Sequence, residues 1–271
     1  MKNYYLLLFL LFPFLGNANS PIISEKAFNQ IKGLYKTNAI EETQSSAAVE
    51  YVYIGENYNA FFQNGKVIYV SLDAAPDGKN LNGIRLDVDY MNHRPSMNFK
   101  SEPAYQRANI TKSINGKLYS LKKVDKLVME NLYQNIDLEF FVNEDGLLQY
   151  QYMVEPGANP AEIQVKYSGN ENVAVEEGGA LVINTAAGKM TESAPVTFKG
   201  KRERVVKSRY VQNKNNTIGF SIASHDPSKS YVIDPYIEWS TFYGGTGGER
   251  TNDLTVDDSS YVYVTGYTAS I

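Results

Sequence analysis

The chain has no cysteine, so disulfides, thiolate nucleophiles, cysteine-ligated zinc and a lipid-modified N-terminal cysteine are all excluded together. Histidine is nearly absent too. The two present, His93 and His225, each sit in a turn-like polar stretch with no second ligand at metal spacing, and they read as solvent-exposed loop residues. No Gly-x-Ser-x-Gly elbow, phosphate loop or His-Glu-x-x-His is present, so no named nucleophile or zinc centre can be assembled. Net positive charge is lacking as well: the formal charge is −4, which offers no broad positive field to a nucleic-acid backbone. Beyond the first residues there is no apolar run long enough to span a bilayer.

What is present is the composition of a folded, strand-rich protein. Of the 271 residues, 43% are hydrophobic and 21% charged, far from the low-hydrophobicity, high-charge balance of a disordered chain. The 21 tyrosines and 12 phenylalanines favour strands, where aromatic side chains fit a pleated, half-buried surface.

Residues 1–18 read as an export signal. Lys2 supplies the positive start, Tyr4 to Leu15 the apolar run, and Gly16-Asn17-Ala18 the small residues of a cleavage site, with cleavage after Ala18 or after Ser20. The apolar run is shorter than the roughly 20 residues of a membrane span and contains Pro13. The expected location is extracellular or at the outer cell surface.

From about Ala47 onward, short strands alternate with turn dipeptides, the pattern of an antiparallel sandwich or barrel. Asn64-Gly65 is expected to close a hairpin with the positive φ angles of a type I′ turn, and Asn115-Gly116, Asp145-Gly146, Gly178-Gly179 and Asn215-Asn216 mark further reversals. Two stretches depart from this pattern. Ala27, Phe28, Ile31 and Leu34 match a helix face, and Val124, Leu127, Val128 and Leu132 fit either a helix or a strand. Asp234-Pro235 follows the strand Tyr231-Val232-Ile233 and marks the sharpest boundary, because proline cannot donate to a ladder. The reading is therefore a β-rich domain over 21–235 and a new unit over 236–271.

That last unit runs Trp239-Ser240-Thr241-Phe242-Tyr243-Gly244-Gly245, then Asp257-Asp258-Ser259-Ser260, then Val262-Tyr263-Val264-Thr265-Gly266-Tyr267-Thr268. It resembles the SBBP repeat, a β-propeller repeat of bacterial surface proteins that opens aromatic-Ser-Thr-aromatic-x-Gly-Gly and closes Val-Tyr-Val-Thr-Gly-x-Thr. The preceding region is similar to the β-rich domain found before such repeats in Bacteroidota and other bacteria. That likeness is carried by Leu132 to Leu138, Tyr150 to Pro160, Ser193-Ala194-Pro195-Val196 and Val232-Ile233-Asp234-Pro235. The resemblance implies an all-β fold, an antiparallel β-sandwich-like domain followed by a partial β-propeller blade, and a cell-surface location. A single repeat cannot bury its faces without neighbours. The chain is therefore expected to be a fragment whose residues beyond about 236 pack poorly or borrow the edge of the preceding domain.

Candidate chemistry is sparse. Asp87 with Asp89, and Asp137 with Glu139, place paired carboxylates on one strand face at a separation suited to a glycosidase or a calcium site. Alternation with Leu86 and Val88, or with Ile136, Leu138 and Phe140, predicts the polar face of a half-buried strand just as well. Asp257 to Ser260 offers oxygens to calcium or simply forms a polar turn. The basic run Lys199, Lys201, Arg202, Arg204, Lys207 and Arg209, interrupted by Glu203, suits anionic polysaccharide or lipid headgroups, or a solvated strand face.

No catalytic, cofactor-binding or metal-binding residue is assigned, and no enzyme activity is expected. The expected role is structural or binding, in adhesion or matrix interaction with an extracellular polysaccharide or protein, with neither nucleic acid nor a membrane span involved. The alternatives are a carbohydrate-binding module, a glycoside hydrolase and a ligand-free spacer.

Overall fold

A computed structural model describes residues 33–41, 48–55, 58–74, 81–104, 109–114, 117–185, 188–200, 204–213, 215–238, 249–256 and 262–268. The export signal and the segment from Ala27 to Ile31 lie outside them. The chain divides into two compact units, residues 1–72 with 83–239, and residues 73–82 with 240–271.

The first unit is antiparallel β throughout. Its first half contains β1 (Gly33–Glu41), β2 (Ala48–Ile54), β3 (Asn59–Gln63), β4 (Lys66–Ala74), β5 (Leu81–Tyr90), β6 (Asn98–Pro103) and β7 (Asn109–Ile114). The long β8 (Lys117–Tyr133), β9 (Ile136–Val142), β10 (Leu148–Val154) and β11 (Val165–Ser168) follow. Then come β12 (Asn172–Val175), β13 (Leu181–Thr185), β14 (Gly188–Glu192), β15 (Val196–Lys199) and β16 (Arg204–Val206). The unit ends with β17 (Ser208–Gln212), β18 (Ile218–Ile222), β19 (Tyr231–Asp234) and β20 (Ile237–Glu238). Among the described residues the only helical turn is a 3-10 turn at Pro160–Glu162, capped by the Asn159 side chain, which accepts from the Ala161 N–H at 3.1 Å.

The large sheet runs β16-β15-β19-β10-β9-β8-β1-β2-β3-β4-β5-β11-β18-β17, with β6 and β7 added along β8. Its two ends, β16 and β17, are separated in the chain by Lys207 alone. The sheet therefore curls back on itself as a nearly closed barrel, the form that the expected sandwich-like arrangement takes. The seam where its ends meet is tied by side chains: Thr197 Oγ1 donates to Ser208 Oγ at 2.8 Å, and Ser208 Oγ donates to the Pro195 carbonyl at 2.9 Å.

Period-two alternation fills the interior. Ile136, Leu138 and Phe140 on β9, and Leu86, Val88 and Tyr90 on β5, are buried, while Asp137, Glu139, Asp87 and Asp89 between them face outward. On these strands the charge is outside and the apolar groups inside, the reverse of a barrel built to sit in lipid. Aromatic rings cross the interior in series: Phe62 meets Phe140 edge-on at 4.9 Å between centroids, and Phe140, Tyr150, Tyr152, Phe220 and Tyr210 continue at 5.2 to 6.1 Å. Each buried ring withdraws roughly 150–250 Å² from water and adds edge-to-face attraction. Among the described residues, most tyrosines thus go into the core.

The ambiguous stretch 124–132 is strand. β8 skips a residue where Glu102 and Pro103 pair with Lys126 and Val124, and its register against β9 shifts again between Met129 and Tyr133, where Asn131 takes φ 55°. These bulges offset the inward face, so buried Val124, Leu127, Met129 and Leu132 fall three, two and three residues apart. That spacing imitates a helix. Leu34, the last member of the other helix-like set, is buried on β1.

The predicted hairpins form at Asn64-Gly65, Asp145-Gly146, Gly178-Gly179 and Asn215-Asn216. Asn115-Gly116 lies outside the described residues, but β7 and β8 pair on either side of it, Ile114 opposite Lys117. At the first turn only Gly65 takes a positive φ, 65°, so the turn is not type I′. His93 packs against Gly65 where a Cβ would stand. Both histidines are half-buried, a correction to the exposed loops expected: His93 is pinned there, and the His225 ring lies 5.2 Å from that of Tyr231.

A four-stranded sheet, β12-β13-β14-β20, contributes Leu181 and Ile183 to the same core. Its last strand comes after Pro235: Ile237 pairs with Glu192, and Glu238 with Thr191. Ser193 and Tyr236 reinforce the join, the Ser193 N–H donating to the Tyr236 carbonyl at 2.9 Å and the Tyr236 N–H to Ser193 Oγ at 3.1 Å.

In the second unit, β21 (Glu249–Val256) and β22 (Val262–Thr268) form a two-stranded antiparallel ribbon with an irregularity between Thr251 and Asp253. Trp239 to Gly245, the opening of the expected repeat, and Asp257 to Ser260 lie outside the described residues.

Candidate functional site

The paired carboxylates sit on the outer barrel face and are engaged there. Lys66 Nζ bridges Asp87 Oδ2 at 2.9 Å and Asp89 Oδ1 at 3.1 Å, while Arg85 Nε holds Asp87 Oδ1 at 2.7 Å. Partial burial works against the Asp87 charge, but Arg85 and Lys66 outweigh it and hold the carboxyl below its ordinary value. On β9, Glu139 accepts from Gln151 Nε2 at 2.7 Å and lies 3.6 Å from Lys126 Nζ, which also meets Glu102 at 2.9 Å. Asp137 accepts the Asn131 N–H at 2.7 Å. Burial, aided by Glu130 and Glu139, raises its pKa against that bond. Ion pairs within and between strands engage Asp87, Asp89 and Glu139, and a backbone N–H engages Asp137, so each acid already has a partner. Among the described residues, no three histidine, aspartate or glutamate side chains stand together as a metal site.

The basic run divides. Lys199 reaches Asp226 at 3.5 Å, and Lys201, Arg202 and Glu203 lie outside the described residues. Arg204, Lys207 and Arg209 are exposed along the barrel seam. Val206 turns toward the core and Val205 away from it, 62% exposed.

The most concentrated chemistry in the fold was not singled out from the sequence. Glu192 ends β14 with its side chain inside the core, 3% exposed. Its Oε2 accepts the Tyr150 hydroxyl at 2.6 Å and the Tyr210 hydroxyl at 3.1 Å, and its Oε1 accepts the Tyr167 hydroxyl at 3.1 Å. The three phenols come from β11 and β17, which flank β18 in the sheet order, and from the remote β10, so one carboxylate ties three barrel staves to the smaller sheet. Burial raises the Glu192 pKa above its ordinary value, and the three hydroxyls only partly offset this. The phenols are themselves pushed well up, by burial first and by the Glu192 charge second. At neutral pH all three are donors. A local signal existed: Met190 packs on the core, and Glu192 follows it two residues on, at an inward-facing position where a carboxylate is out of place.

A family model described as Domain of unknown function (DUF7948) matches residues 39–236, and the chain belongs to that family. No curated protein and no solved structure matches it.

Proposed function

We propose that this member of the family is an exported, non-catalytic barrel domain that works outside the cell as a structural and binding module and leads into propeller-type repeats. The observation that carries the reading is that these acids are used for architecture: Asp87 and Asp89 meet Lys66 and Arg85, Glu139 meets Lys126, Asp137 accepts the Asn131 N–H, and Glu192 is enclosed by three tyrosines. The export reading rests on the sequence of residues 1–20. The repeat reading rests on the resemblance of residues 239–268 to SBBP repeats, with which the antiparallel β21–β22 ribbon agrees. A glycoside hydrolase needs one carboxyl free to protonate a leaving group and a second free to act as nucleophile or base, whereas Asp87, Asp89 and Glu139 are each held by a cation.

The test is expression of the full gene with an epitope tag in a Gram-negative host, followed by protease shaving of intact cells. Loss of the tagged barrel to external protease is expected. Retention in the cytoplasm would overturn the reading, as would release of reducing ends from a polysaccharide panel that disappears in Glu139→Gln or Asp87→Asn.

A further inference from the structure

We propose that the barrel seam formed by β15, β16 and β17 binds an anionic polysaccharide. The seam is where the main-chain ladder of the large sheet runs out, and the two sides are joined by Thr197, Ser208 and Pro195 through side-chain hydrogen bonds. Arg204, Lys207 and Arg209 lie along it within six residues, all exposed and, among the described residues, with no ion pair. Elsewhere on the barrel several cations are matched, Lys66 and Arg85 with Asp87, Lys100 with Glu130 and Lys126 with Glu102, while the exposed Lys36, Lys122 and Lys166 stand on three different strands. The seam thus gathers three exposed cations within six residues on a protein whose net charge is −4.

The apolar groups at the seam point the same way. Phe198 pairs directly with Val205 and so shares its outward face, and Val196, two residues before Phe198, shares it too. Val196 is 38% exposed, and Val205 is the most exposed large apolar side chain among the described residues. Cations beside a small apolar strip suit a sugar chain, whose C–H faces pack on valine while its carboxylates or sulfates accept from guanidinium and ammonium groups.

Protecting an edge strand from pairing with another chain takes a single lysine or arginine, and three unmatched cations exceed that need. An added peptide strand would find only the three residues of β16 to pair with. Repeated anionic charge fits cations that continue past the bend at Lys207 into β17, with Lys207 and Arg209 in phase with Val205 and Arg204 exposed on the other face of the three-residue β16. The inference rests on the extracellular placement proposed above and names the partner class for it.

The experiment measures binding of the full chain to polygalacturonate, with neutral dextran as the uncharged control and phosphatidylglycerol vesicles as the lipid arm. Two charge-matched variants are compared, Arg204→Glu/Lys207→Glu/Arg209→Glu at the seam and Lys36→Glu/Lys122→Glu/Lys166→Glu on other strands. The seam variant is expected to bind polygalacturonate about tenfold or more weakly, with the other variant within about twofold of wild type. Rising salt should weaken the wild type steeply. If thermal melting shows that the seam variant is misfolded, Arg204→Gln, Lys207→Gln and Arg209→Gln are measured singly and should each weaken binding. No binding to polygalacturonate, equal loss in both variants, or tighter seam-dependent binding to the vesicles would each overturn the inference. The export reading would be untouched, since protease shaving decides it separately.

Discussion

Replacing Glu192 with alanine leaves three buried tyrosine hydroxyls without their acceptor. An unsatisfied buried hydroxyl costs about 1–3 kcal/mol. Tyr150 and Tyr210 are almost fully buried and Tyr167 partly so, so two to three such penalties apply. Relief of a buried carboxylate offsets part of this, and the net loss is about 3–5 kcal/mol, a large share of the roughly 5–15 kcal/mol that holds a domain together. Glu192→Gln behaves differently, because its carbonyl oxygen still accepts two hydroxyls and its amide can donate to the third tyrosine's oxygen. That variant should lie within about 1 kcal/mol of wild type. Urea unfolding followed by near-ultraviolet circular dichroism, which reports the packed tyrosines, separates the two. The sign of the pH effect is fixed as well. The folded state binds the Glu192 proton more tightly than the unfolded chain does, so this group's contribution is complete below the unfolded carboxyl pKa of about 4.3 and is lost as pH rises through the folded value. Wild type should therefore gain stability relative to Glu192→Gln on acidification. Equal stabilities for the alanine and glutamine variants, or a wild-type advantage that grows with rising pH, would refute the reasoning.

Other consequences are open to the same measurements. Asp87→Asn removes the partner that Lys66 and Arg85 share on a half-exposed face, and should cost about 0.5–1 kcal/mol at low salt and less at high salt. Because the Asp87 pKa is held below its ordinary value, that contribution is present above the unfolded carboxyl pKa and fades as pH falls through the folded one, so the difference from wild type should vanish in acid. Gly65→Ala must accept both φ 65° and the His93 ring standing where its Cβ goes, for a loss of about 1–2 kcal/mol in thermal unfolding. A second change, His93→Ala, should recover only part of it, since the backbone strain remains. At Asn131, φ 55° in the β8 bulge predicts that glycine is tolerated while valine costs about 1–2 kcal/mol by the same denaturation assay.

Local features were legible and long-range ones were not. Gly146, Gly179 and Asn216 take positive φ in turns that their dipeptides marked, because turn chemistry is written in two residues. The inward set Ile136, Leu138, Phe140 could be read from alternation alone. The stretch 124–132 could not, since bulges are set by the partner strand: Pro103 and Ile136 fix where β8 slips. Barrel closure was equally hidden. It depends on Tyr167 pairing with Val88 and on Val165 lying between Tyr90 and Ile218, contacts that no local pattern encodes. The Glu192 cluster draws on four strands between residues 150 and 210, and its sequence trace is only one carboxylate in phase with Met190.

The exit of the chain from the barrel has a mechanical meaning. β19 is held on both edges, by β10 and by β15, whereas Tyr236 to Glu238 are held, among the described residues, by a two-residue ladder on β14 and the Ser193 bonds to Tyr236. Tension applied beyond Glu238 meets the weaker fastening first, peeling Ile237 and Glu238 from β14 one bond at a time. Only then does it reach β19, where two ladders must shear together. Ile237 and Glu238 thus form a short sacrificial clasp in front of the β19 anchor. The clasp ends at Glu192, so slackening it tugs at the one carboxylate that ties the barrel to its second sheet.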